Sequence, residues 1–387
     1  MVWIFLRIEA VREAATQLLQ PAQDIPTGFA SLSQGVYHAS SILFPDLDAF
    51  LSRGTQAAEG YSYGQNGTPT QYALAHKLAE LEGGGQTVLV PSGLAAVVLV
   101  NSAVLSPGGH VLLPEAAYGP TLDSTQALFG KWGVQCTLYP DAIGSGIRNM
   151  LQPHTQLVWT ESPGSHVLEM QDIPAIVEAA HGQGVAVAMD NTWASPLGFR
   201  PLDAGVDFSV QAVTKYASGH SDLLMGSVCV RDAQRYTLLR NTAELLGYYV
   251  SPDDCFLALR GLPTLALRME RHFASALRIA QWLEQHPAVA RIHYPPLASD
   301  PGHHLWKRDY LLGSGLLSFT LRAAGLEPIK AFVASLKLFK LGNSWGGVHS
   351  LVAVAPLRTT EAGWLIRLHV GVEDAGELLD DLSQALC

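Results

Sequence analysis

The sequence predicts an α/β fold: a mainly parallel sheet with helices on both faces, followed by a smaller C-terminal α/β unit. Three observations carry this. Short apolar β-type runs alternate with helix-period segments from residue 86 to residue 215. Within 185–221 two such runs, VAVAM and VDFSV, each lead to a polar group: the first to Asp190, the second to Thr214-Lys215. With 48% hydrophobic and 15% charged residues over 387 positions, the composition suits a well-packed soluble chain rather than a disordered one.

Taken in order, residues 1–60 read as an arm, because a helical piece over 9–20 ends at Pro21 and a Ser-, Gly- and Pro-rich segment follows. A turn-dense stretch with Tyr61 and Tyr63 precedes a helix over 71–81. Strands are expected at 86–90, 110–113, 133–138, 156–159, 185–189, 206–210 and 226–230. The intervening helices span 94–105, Tyr118 to Lys131, and a segment from Asp172 and Pro174 to Gly182. Beyond 230 the pattern turns helical, over 232–246 and then 252–285 with a break at Gly261-Leu262-Pro263. Arg260, Arg268, Arg271 and Arg278 read as solvated or interface charges on that helix. Strands near 289–293, 315–321 and 364–370, with helices at 327–336 and 373–386, form the second unit. The expected division is an arm (1–60), a large domain (61–260) and a smaller C-terminal domain (261–387), the boundary falling in the long helix near 255–285.

A net charge of -10 without a basic run argues against nucleic acid or an anionic membrane as partner and for a small molecule. Cys136, Cys229, Cys255 and Cys387 are scattered, which suits reduced thiols in the cytoplasm. The apolar opening 1–6 is interrupted by Arg7 and Glu9 too early for a signal sequence, and no run of about twenty apolar residues follows. Among fourteen histidines there is no HExxH, and His303-His304 reads as surface in a Pro/Gly/Asp-rich loop, so no metal is expected.

Chemistry in an α/β sheet collects at the carboxyl ends of strands, which would bring the Asp190 carboxylate and the Lys215 amine to one crevice. That pair suits pyridoxal phosphate: lysine for the aldehyde, carboxylate for the protonated pyridine nitrogen. Read alone, Asp190 could cap a helix and Lys215 could be a surface lysine. Lysine is scarce, however, and Lys215 sits amid Gly219, His220 and small residues. The turn Pro91-Ser92-Gly93 opens a helix whose free N–H groups suit a phosphate, as those of any tight strand-to-helix turn would. Arg367, in the core-like strand WLIRLHV, needs an anionic partner; a salt bridge would serve, and the carboxylate of an amino-acid substrate is favoured.

Nine motifs occur in order: YGQNGTPT at Tyr63, LEGG at Leu81, PSGLAA at Pro91, AYGPT at Ala117, ESPGS at Glu161, DNTWA at Asp190, VTKYASGHSD at Val213, NSWGGVHSL at Asn343 and LIRLHVGVED at Leu365. Together they resemble the fold-type I pyridoxal-phosphate enzymes of cysteine and methionine metabolism, the trans-sulfuration family, from about Gly35 to the C-terminus. The resemblance implies a seven-stranded-type sheet and these roles. Lys215 holds the cofactor and then removes the Cα proton; Asp190 pairs with the ring nitrogen; Tyr118 stacks on the ring and assists proton transfer. Gly93, Leu94 and Thr214 hold the phosphate, joined by Tyr63 from a neighbouring subunit. Arg367 binds the substrate carboxylate, with Ser344, Trp345 and Tyr63 shaping the pocket. It further implies a dimer at least, and a tetramer built as a pair of dimers.

Two positions depart from the family pattern: Gln65 replaces the usual phosphate-binding arginine, and Ala212 a common serine. Losing one charge-assisted contact would cost about 1–3 kcal/mol in cofactor binding unless another cation substitutes. Ser344-Trp345-Gly346-Gly347, Ser165 and Gln211-Ala212 resemble the β-lyase branch rather than the γ-acting one, and Asn343 and His349 fall where substrates are distinguished. The expected reaction is therefore α,β-elimination of L-cystathionine to homocysteine, pyruvate and ammonia. The alternatives are a γ-acting relative, a cysteine or cystine desulfhydrase, an aminotransferase, or a non-catalytic metabolite-binding descendant.

Overall fold

Successive residues of a β-strand face opposite sides, and in the central sheet this alternation sorts the apolar residues into two cores. Leu112, Val158, Val187 and Met189 enter one, whereas Val111, Leu113, Leu157, Trp159 and Ala188 enter the other. The chain, a computed structural model, is described over residues 13, 15–19, 31–55, 60–323, 325–357 and 363–386. Half of the helix expected over 9–20, and the apolar opening, lie outside the described residues.

The first sheet has seven strands: β1 (Gln86–Val90), β2 (His110–Pro114), β3 (Gln135–Tyr139), β4 (Thr155–Glu161), β5 (Ala186–Asp190), β6 (Phe208–Gln211) and β7 (Gly226–Val230). Their order is β1-β7-β6-β5-β4-β2-β3. Pairings from β3 to β6 are parallel, and β7 runs antiparallel to both β6 and β1. Two antiparallel steps return β1 to the direction of β6, so the carboxyl ends of β1, β2, β4, β5 and β6 share one edge. The Gly93–Val104 and Ala233–Leu245 helices cover one face and the Ile173–His181 helix the other. Its N-cap is Asp172, whose side chain accepts the Ala175 N–H.

The second sheet contains β8 (Val289–His293), β9 (Leu316–Leu321), β10 (Lys340–Leu341), β11 (Leu351–Pro356) and β12 (Trp364–His369), in the order β10-β11-β12-β9-β8. The 21-residue helix Leu265–Gln285 links the sheets. Its first turns (Leu265, Ala266, Met269) pack with Leu74, Leu78 and Tyr216, and its last (Ala276, Ile279, Ala280, Leu283) join the core shared with β9 and β12.

Several expectations are corrected. His303-His304 opens a helix, His303–Asp309, for which Gly302 serves as the N-cap, and Leu305 and Trp306 pack on the core. Arg268 is buried: its guanidinium donates to the carbonyls of Tyr216 (2.7 Å) and Gly261 (2.9 Å), so main-chain acceptors replace the solvent expected there. The other three arginines of that run are exposed. The helix after Tyr118 is interrupted, passing from Gly119–Ser124 through a wider turn at Thr125–Phe129 to a tighter one at Gly130–Trp132. The strands β10 and β11 were not expected; LVAVA lacks a period that separates strand from buried helix.

Phe319 on β9 is fully buried and meets Phe332 edge-on at 5.9 Å between ring centres. Phe319→Ala is expected to destabilise the chain by about 3–5 kcal/mol in chemical denaturation. A loss below about 1 kcal/mol would mean that the core closes around the gap.

Candidate active site

The carboxyl-end edge of the first sheet opens into a cleft of about 430 Å³, closed on its other side by Leu316, Asn343, Trp345 and Arg367 of the second unit. Lys215 lies four residues past the end of β6 and projects into it. Its Nζ donates to Ser344 Oγ at 2.8 Å and lies 5.3 Å from the centre of the Trp345 ring. Gly346 makes this approach possible: its φ is +86°, and a Cβ there would come within 2.9 Å of the Lys215 main chain. Burial, and then the Arg367 guanidinium, lower the Lys215 pKa to about 8 against the opposing pull of Asp190. The amine is thereby poised to become neutral near physiological pH.

Asp190 ends β5, and its register partner across the sheet is Glu161, the last residue of β4. Asp190 Oδ1 accepts the Thr192 N–H at 2.9 Å, and Glu161 Oε2 accepts the Tyr118 N–H at 2.7 Å. Burial raises the Asp190 pKa, partly offset by Thr192 and Lys215. Burial, then the neighbouring Asp190 charge, hold Glu161 well above the usual carboxylate range. Burial and these two carboxylates likewise push the Tyr118 hydroxyl up, so it keeps its proton at neutral pH. Tyr118 is 45% exposed and lines the cleft, which leaves its ring available for stacking.

At the other end of the cleft Ser92 caps the Gly93–Val104 helix, its side chain accepting the Ala95 N–H at 3.0 Å. The Gly93 and Leu94 N–H groups precede the first intrahelical bond and line the cleft. A Cβ on Gly93 would press to 2.8 Å from the Ala212 methyl, so the turn closes only with glycine there and a small residue opposite. Thr214 Oγ1 accepts the Met225 N–H at 2.9 Å and lies 3.1 Å from the Met225 carbonyl.

These groups fit pyridoxal phosphate. Free N–H groups at a helix start suit its phosphate, the raised Asp190 carboxyl suits a protonated ring nitrogen, and an amine close to neutrality suits its aldehyde. Arg367 faces the same cleft, with Nη2 3.4 Å from the Asn343 carbonyl. Of the residues expected from the sequence, Lys215, Tyr118, Asp190, Gly93, Leu94, Thr214, Trp345 and Arg367 line one cleft, and Ser344 joins them through Lys215. Tyr63 does not: it is 51% exposed and lies outside this cleft. Gln65 Nε2 donates to the Glu244 carbonyl at 3.2 Å, in a separate hollow beside Arg240. Sequence reasoning gave no role to Glu161, Thr192 or Gly346. Glu161 carried a signal of the same kind as Asp190, a carboxylate closing an apolar strand.

Residues 15–387 match the family described as Cys/Met metabolism PLP-dependent enzyme. The chain is 38% identical to cystathionine beta-lyase MetC of Escherichia coli (strain K12), covering 96% of this chain and 98% of that protein. It is 36% identical to an L-alanine/L-glutamate racemase of Wolbachia pipientis, covering 92% of each. A crystal structure of cystathionine gamma synthase from Xanthomonas oryzae pv. oryzae, in complex with aminoacrylate and cysteine, superposes with a TM-score of 0.89 at 34% identity, covering 96% of this chain and 97% of that one.

In the cofactor-free chain, the rate at which Lys215 captures added pyridoxal phosphate, followed by visible absorbance, is expected to rise with pH through a midpoint of about 8, since only the neutral amine attacks. Arg367→Met removes a positive neighbour that disfavours the ammonium, so the midpoint moves upward. An unchanged midpoint would show that the guanidinium contributes nothing to the shift.

Proposed function

The chain belongs to the Cys/Met metabolism PLP-dependent enzyme family, and from that membership we propose that it is a carbon–sulfur β-lyase acting on L-cystathionine. The cofactor is pyridoxal phosphate, which when bound supplies an electron-accepting ring that makes the substrate Cα–H bond acidic. The observation that carries the reading is the shared position of Lys215 Nζ, Ser344, Trp345 and Arg367 in one cleft. Lys215 takes the Cα proton at Nζ, which requires the neutral amine that its surroundings favour. Arg367 holds the substrate carboxylate through its planar fork, fixing the face presented to Nζ. Asp190 keeps a proton on the ring nitrogen. Tyr118 retains its own proton and offers it to the departing sulfur. The first-turn amides of Gly93 and Leu94, with Thr214, hold the phosphate.

Breaking the Cα–H and Cβ–S bonds releases homocysteine, and the three-carbon remainder takes up water to give pyruvate and ammonia. The bulky Trp345 beside Lys215 and the small Ser165 in the cleft wall favour the β-lyase branch. A second reading, γ-elimination, has the likeness to the γ-synthase structure in its favour. We also propose an oligomer in which Tyr63, exposed and outside the cleft of its own chain, reaches the cleft of a neighbouring subunit, with 1–60 as an arm against that neighbour and two such dimers forming a tetramer.

Product identification after cofactor-saturated protein meets L-cystathionine tests this. Homocysteine with pyruvate is expected. Cysteine with 2-oxobutyrate would mean γ-elimination instead. Exchange of the Cα proton in deuterated water without thiol release would show a working base and no β-lyase.

A further inference from the structure

Residues two apart on a strand share a face, and on β12 these include Arg367 and His369. Both reach the loop that carries Ser344 and Trp345. Arg367 Nη2 lies 3.4 Å from the Asn343 carbonyl at one end of the loop, and His369 Nε2 lies 2.8 Å from the Gly347 carbonyl at the other. Between these ties the loop grips Lys215 at three successive residues: Ser344 accepts from Nζ, the Trp345 ring lies beside it, and Gly346 presses on its main chain.

The two ties differ in kind. Arg367 lines the cleft, where a substrate carboxylate would compete for its guanidinium. His369 is 1% exposed and outside the cleft wall, so it touches neither substrate nor cofactor. A carbonyl can only accept, so His369 carries its proton on Nε2, leaving Nδ1 as a lone-pair nitrogen without a hydrogen-bond partner. Its ring packs against His272 at 5.1 Å and Tyr216 at 6.0 Å between centres, and Tyr216 in turn meets Trp345 at 5.4 Å. Burial first, then the neighbouring His272, lower the His369 pKa to about 3. The tie is therefore that of a neutral imidazole across the working pH range.

We propose that His369 is a positioning residue: its Nε2–H fixes the Gly347 end of the loop, and so sets Ser344 and Trp345 against Lys215 Nζ while the Arg367 end is free to exchange partners with substrate. The proposal rests on the reading of Lys215 as the cofactor-bearing base.

Glutamine places an amide N–H where Nε2–H stood, whereas asparagine is too short to reach the carbonyl. In cofactor-loaded protein, His369→Gln should keep kcat, and the induced circular dichroism of the visible cofactor band, within about threefold of wild type. His369→Asn should lower kcat about 10- to 100-fold, leave KM within about threefold, and lose at least half of the induced dichroism. If the asparagine variant does not fold, His369→Met takes its place, keeping volume without a donor. Equal behaviour of the donor-retaining and donor-lacking variants in both readouts, whether normal or impaired, overturns the proposal while wild type still cleaves its substrate. A wild-type protein that fails to carry the cofactor on Lys215 overturns this proposal and the reading beneath it together.

Discussion

A primary amine held where burial and a guanidinium together outweigh one carboxylate is the constraint on which the site depends. Lys215 would be an ordinary ammonium in water; in the cleft it sits near the balance between charged and neutral forms. Each neighbouring element contributes to that balance. The first sheet brings Asp190 to the crevice, β12 brings Arg367, and the loop between β10 and β11 provides a hydroxyl acceptor and an indole in place of water. Behind the lysine, Gly219 adopts a φ of +71°, and a Cβ there would collide with the Arg268 guanidinium. That buried arginine binds the Tyr216 carbonyl and stiffens the turn just after Lys215.

Much of this was legible in the sequence because strand ends announce themselves. Asp190 and Lys215 are polar groups delivered by apolar runs, and the strand-turn-helix at Ser92 has the same logic. The first sheet could be read from its alternation; the role of β7, which turns β1 to run with β6, could not, because antiparallel pairing leaves no mark on the residues of GSVCV. Arg268 was misread for a related reason. A charge on an amphipathic helix suggests solvent unless one knows that three-dimensional neighbours offer carbonyls. Ser344, Trp345 and Asn343 sit more than a hundred residues from Lys215, so only the family resemblance linked them to it.

The two departures from the family pattern have different structural standing. Ala212 packs against Gly93 across the turn that opens the Gly93–Val104 helix, where its methyl leaves no room for a Cβ on Gly93. It is part of a tightly fitted corner. Gln65 donates to a helix-end carbonyl, that of Glu244, and belongs to a surface on which Tyr63 is also exposed.

One continuous core joins the inner face of the first sheet, the later turns of the Leu265–Gln285 helix and both central strands of the second sheet. A hinge between the two sheets would have to part Phe199 from Tyr310, whose rings stack at 4.7 Å, and break the bond from Trp193 Nε1–H to the Leu316 carbonyl. The energetic toll of such a rotation makes it a poor way to admit a molecule. Tyr118 and Arg367 line the cleft, and turning such side chains between rotamers widens it at far lower cost than swinging a lobe.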